Sequence, residues 1–148
     1  MKVRFLVKNI LALLIATGCG NLETRVSEPV QAQGCTNDTA IILVWDTVFE
    51  NYCGCEGTNQ NGTFQTPGTP LVCQVSQGKT VFFYFVGTVT FHQIISTDSP
   101  EKFLPSMIQS TTAENRPWGY SVQISESGTT YNYQDHFNDQ MVGQIVVP

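Results

Sequence analysis

Apolar positions along this chain recur in short runs, many alternating with polar ones, and glycine, proline and small polar residues separate the runs. That pattern predicts strands. Ala40 to Trp45 is the first run, and because short apolar runs are ambiguous, a helix continuing through Phe49 stays open. Residues 54–70 hold Gly54, Gly57, Gly62, Pro67, Gly68 and Pro70 among Thr, Asn and Gln, which is loop chemistry. A loop so long needs a tie. Leu71 to Val75 reads as a strand, Ser76 to Lys79 as a turn, and Thr80 to Val86 as a central strand, apolar on both faces. Val89 to Ser96 is expected as one further strand carrying His92, and residues 97–117, with Pro100, Pro105 and Pro117, as irregular. Alternation is clean from Tyr120 to Ser125, Ser127-Gly128 turns the chain, and Tyr131 and Tyr133 point one way with Asn132 the other. A short polar loop then leads to a last strand, Val142 to Val147. Strands at this spacing predict a single-domain, all-β antiparallel sandwich.

The first residues do not share that pattern. Lys2, Arg4 and Lys8 precede an apolar core, Ile10 to Ala16, that is too short to span a bilayer. Thr17-Gly18-Cys19 follows, and the whole resembles the signal and lipobox of bacterial lipoproteins, with Ala16 where Leu is usual. The resemblance implies cleavage before Cys19, a lipid on its thiol and a membrane as partner. An ordinary secretory signal is the alternative. Residues 1–18 are thus read as signal peptide, 19–34 as a polar tether without apolar periodicity, and 35–148 as the folded domain. Asn21, rather than Asp, lies two after the lipidated position, which favours the outer membrane or cell surface over inner-membrane retention.

Cleavage removes three of the seven basic residues and none of the twelve acidic ones, leaving a net charge of −8 on 130 residues. Such a chain repels nucleic acid. Beyond Cys19 four cysteines remain: Cys35, Cys53, Cys55 and Cys73. An even count in an exported chain reads as two disulfides. Cys53-Gly54-Cys55 is too tight to bridge itself, so each of the two pairs with Cys35 or Cys73, in either arrangement.

Gly78-Lys79-Thr80-Val81-Phe82-Phe83, His92-Gln93-Ile94, Tyr120 with Gly128-Thr129, and His136, Met141 and Gly143 to Val147 follow one another in order through residues 71–148. This ordered set resembles the plastocyanin-like cupredoxins. The resemblance implies a Greek-key β-sandwich and a copper site, with His92 as first ligand, His136 as second and Met141 as axial thioether. Family members place a Cys three residues before the second His. Here that position is Tyr133, or Gln134 if the loop is one residue short, and neither supplies a thiolate. An ordinary blue-copper carrier is therefore disfavoured. Asp135 or Gln134 would have to stand in as an oxygen ligand, and Asp135 also reads as a turn cap bonding its own backbone.

Two function classes follow. One is a lipid-anchored copper-binding module for holding, delivery or slow electron transfer, with a copper donor or acceptor protein as partner. The other is a metal-free cupredoxin-like structural or interaction module at the cell surface. No phosphate loop is present and no catalytic triad is suggested, so an enzyme is the least supported reading.

Overall fold

β-Branched and aromatic residues at alternating positions build two facing sheets. The computed structural model describes residues 34–87, 91–110 and 118–148. The signal peptide, Cys19 and the tether through residue 33 lie outside the described residues. One sheet has the order β3 (Thr63–Phe64), β2 (Phe49–Cys53), β1 (Thr39–Val44), β5 (Thr80–Phe85), β9 (Trp118–Gln123). The other has the order β4 (Leu71–Gln74), β11 (Asn138–Val147), β10 (Thr129–Asp135), β7 (Ile94–Ser96). A two-stranded ribbon, β6 (Phe91–His92) with β8 (Gln109–Ser110), completes the described elements.

The core lies between the sheets. Ile42, Val44, Phe49, Val81, Phe83 and Phe85 face it from one side, and Leu71, Ile94, Tyr131, Tyr133, Met141 and Ile145 from the other. The Phe83 and Tyr133 rings meet edge to face at 5.0 Å, joining the two layers. Opposite Tyr133 in the β10–β11 ladder stands Gly143. A Cβ there would run into the Tyr133 ring, so the glycine is what lets the aromatic ring lie across its neighbour strand.

The all-β sandwich is as expected, but its sheets are mixed. β1 pairs with β5 in parallel, and β4 with β11 in parallel. The chain between the partners of each parallel pair is long enough for a crossover, which parallel pairing requires. The apolar run at Ala40 is a strand, and Phe49 opens a separate one rather than continuing a helix.

The expected strand from Val89 to Ser96 is divided: residues 88–90 lie outside the described residues, and Gln93 separates β6 from β7. The reason is local. The Gln93 N–H donates to Asp135 Oδ1 at 3.2 Å, and its carbonyl accepts the His136 N–H at 2.8 Å. With both backbone groups engaged from one side, the chain changes partner, from β8 to β10.

The disulfides are Cys35–Cys53 and Cys55–Cys73. The second supplies the tie for the long loop after β2, fastening it to the edge strand β4.

Candidate functional site

The chemistry-bearing residues gather around the β10–β11 hairpin. The polar loop expected there contracts to a two-residue turn, His136-Phe137, between the paired Asp135 and Asn138. The ladder then jumps to Gln134 opposite Val142, so Asp139, Gln140 and Met141 form a bulge on β11. β11 accordingly begins at Asn138, four residues before the expected start.

Along β10 the period-two alternation turns Tyr131, Tyr133 and Asp135 inward. Asp135 is thus a carboxylate at a core-facing position, fully buried. His92, only 1% exposed, meets it: His92 Nδ1 and Asp135 Oδ2 form a short contact. The other carboxylate oxygen accepts two backbone N–H groups, from Gln93 at 3.2 Å and from Phe137 at 3.0 Å. The Phe137 bond is the turn-capping role read for Asp135 in the sequence. Phe85 flanks the imidazole, ring centres 6.0 Å apart.

The remaining sequence-predicted ligands are distributed differently. His136 sits on the exposed turn, its ring edge-on to Phe137 at 5.2 Å. The backbones of the two histidines do converge, through the His136 N–H bond to Gln93 next to His92. Gln134, one residue from Asp135, faces the other side of β10 and is half-buried. Met141 is fully buried within the core cluster. Tyr133, which with Gln134 was one of the two positions the family resemblance offers for the missing thiolate, packs between Phe49 and Phe83, and burial pushes its phenol pKa up. Sequence reasoning missed Gln93 and Phe137, whose backbone N–H groups anchor the carboxylate. Nothing in residue type marks a backbone donor. The signal for Asp135 was present, since it continues the inward phase of Tyr131 and Tyr133.

These residues do not fit a ready-made copper centre. His92 Nδ1 is engaged by Asp135, and Asp135 Oδ1 by two N–H donors. Cys35, Cys53, Cys55 and Cys73 are all in disulfides, so none of them supplies a thiolate. Among the described residues no three His, Cys, Asp or Glu side chains group so as to hold a metal ion. A metal bound at His92 Nδ1 would have to displace Asp135. What the arrangement does as it stands is mechanical. One carboxylate ties β6, the start of β7 and the β10–β11 turn to a single point.

No family model matches the chain, and no curated protein matches it. Among solved structures it is similar to a purple cupredoxin from Nitrosopumilus maritimus, at 21% identity over 74% of this chain and 99% of that one, TM-score 0.48. It is also similar to a reduced amicyanin variant, at 17% identity over 77% of this chain and 86% of that one, TM-score 0.48. Likenesses at this level assign no role to any residue here.

Proposed function

We propose that this chain is an extracytoplasmic, lipid-anchored cupredoxin-like module that works without a bound metal, as a structural or interaction domain at the cell surface. The carrying observation is the His92–Asp135 contact. The histidine that the family resemblance assigns to copper is held by a buried carboxylate whose other oxygen already has two backbone donors. A buried polar group satisfied in this way is stable as it is, and displacing its partners carries a desolvation cost. The leader ending at Cys19 supports the anchored, exported setting.

The test is a titration of the purified full chain, disulfides intact, with Cu(II) and, under reducing-agent-free anaerobic conditions, with Cu(I). The expected result is no stoichiometric uptake and an unchanged melting temperature. Uptake of one equivalent that falls sharply in both His92→Ala and Asp135→Ala would overturn this reading. It would favour the copper-holding module instead. In that case the effects of His136→Ala and Met141→Leu would say whether those two side chains join the site, and a weaker loss of Cu(II) than of Cu(I) in Met141→Leu would mark the thioether as a ligand.

A further inference from the structure

A second polar site lies elsewhere on the sandwich, between the β2–β3 hairpin, the loop that follows it and the edge strand β4. It is a groove of about 240 Å³. Its walls are amides and hydroxyls, chiefly Asn51, Asn59, Gln60, Gln65, Thr66 and Thr69, and no charged side chain lines it. Phe64, 56% exposed on the short edge strand, contributes an aromatic face.

The walls are held in place. Gln60 Oε1 accepts the Gln74 N–H at 2.7 Å. Gln65 donates to the carbonyls of Gln140 at 2.7 Å and Thr69 at 3.2 Å, and accepts the Phe49 N–H at 3.3 Å. The Cys55–Cys73 disulfide closes one side of the loop onto β4. Within this fixed frame some groups are uncommitted. Asn51 is fully buried and donates through Nδ2 to the Val72 carbonyl at 2.7 Å, but its Oδ1 makes no hydrogen bond with any described residue. The side chains of Asn59 and Thr66 likewise make none among the described residues. An acceptor left unpaired in a buried position is destabilising.

We propose that this groove binds one unit of a neutral saccharide. Amides and hydroxyls each donate and accept, which matches the adjacent hydroxyls of a sugar ring. A lining without charge offers nothing to an ionic ligand. The Phe64 face suits the apolar C–H side of a pyranose, with the polar edge turned to Asn59 and Thr66. The groove is smaller than a drug-sized pocket, so it takes a single ring rather than a buried chain. Asn59 and Thr66, whose side chains make no hydrogen bond among the described residues, are the groups left for sugar hydroxyls. No lining residue belongs to the His92–Asp135 site, so the proposal does not depend on the metal-free reading.

Full-length protein in a sugar-free detergent is titrated with maltose, cellobiose and chitobiose, followed by saturation-transfer NMR and backbone chemical shifts. The expected result is saturation transfer to at least one disaccharide, with shift changes centred on residues 59–72. Phe64→Ala and Asn59→Asp each weaken binding by about tenfold, while resonances of the core stay in place. The side chain of Phe64 is exposed and Asn59 has a left-handed φ of 62°, which Asp tolerates, so neither change unfolds the domain. The proposal is overturned if none of the three sugars receives saturation transfer, if both variants bind as the parent does, or if the shifts lie elsewhere.

Discussion

Under the β10–β11 turn, Asp135 accepts from two backbone donors and a histidine, and the site is sealed. At the β3–β4 edge, Asn51 Oδ1 accepts from no described residue, and the groove above it opens to solvent. The first site is where the family resemblance places chemistry, and its polar groups are satisfied internally. The second was invisible to motif reading, and its polar groups are left for something else. Residues at positions that a family resemblance singles out are thus no guide to which surface is available for binding. The hydrogen-bond inventory is the better guide, because a buried group already satisfied resists recruitment.

The contrast can be broken most forcefully at Asp135. Replacing it with Ala leaves the His92 ring and two backbone N–H groups without their acceptor, and should cost about 3 kcal/mol or more in urea unfolding at pH 7. A companion His92→Leu change in the same chain should recover part of that loss, since both partners of the contact are then removed together. A cost for Asp135→Ala below about 1 kcal/mol would mean that the pair is not a clamp.

Next comes the disulfide of the open side. Cys55→Ala with Cys73→Ala removes a link spanning 18 residues, worth about 3 kcal/mol by chain-entropy reasoning. Amide exchange in residues 57–70 should accelerate, while the His92 ring resonances stay where they are. Equal disturbance of both sites would show that they are one cooperative unit rather than two.

The smallest effect concerns Tyr133, two residues before Asp135 on the same face of β10. Its hydroxyl is buried and has no hydrogen-bond partner among the described residues. Tyr133→Phe should stabilise the fold by about 1 kcal/mol. Burial raises the pKa of this phenol, and desolvation pushes that of Tyr120 up to about 12 from its ordinary value of 10.0. The folded state therefore holds these protons more tightly than the unfolded chain does. Stability from them is complete below pH 10 and is lost as pH climbs through about 12 and beyond. Melting temperatures taken from pH 9 upward should fall, and fall less steeply in Tyr133→Phe.

Most strands were legible because half-buried strands alternate, and alternation survives in residue type alone. Thr80 to Phe85 and Thr129 to Asp135 are examples. Strand direction was not legible, since periodicity is the same for parallel and antiparallel neighbours. The break at Gln93 was hidden for another reason: the groups that cause it, Asp135 and His136, lie about forty residues away in sequence. Cysteine counting left two arrangements open, and only the positions of Cys35 and Cys73 in the folded chain choose between them. At the site, His92 and Asp135, both named as candidate metal ligands, lie against each other. The ligand list had no means of foreseeing that they would bond each other, because mutual satisfaction depends on distance and burial.

The parallel pairing of β11 with β4 has a consequence for how the molecule is made. β11 is an interior strand of its sheet, flanked by β4 and β10, yet it is made after every other described strand. Leu71 and Cys73 on β4 must therefore wait with an unpartnered edge until Asn138–Val147 arrives. Such distant pairing is slow and exposes a sticky intermediate. Cys55–Cys73, once oxidised, would hold that waiting strand against its own loop, and so chaperone the half-built sheet from within.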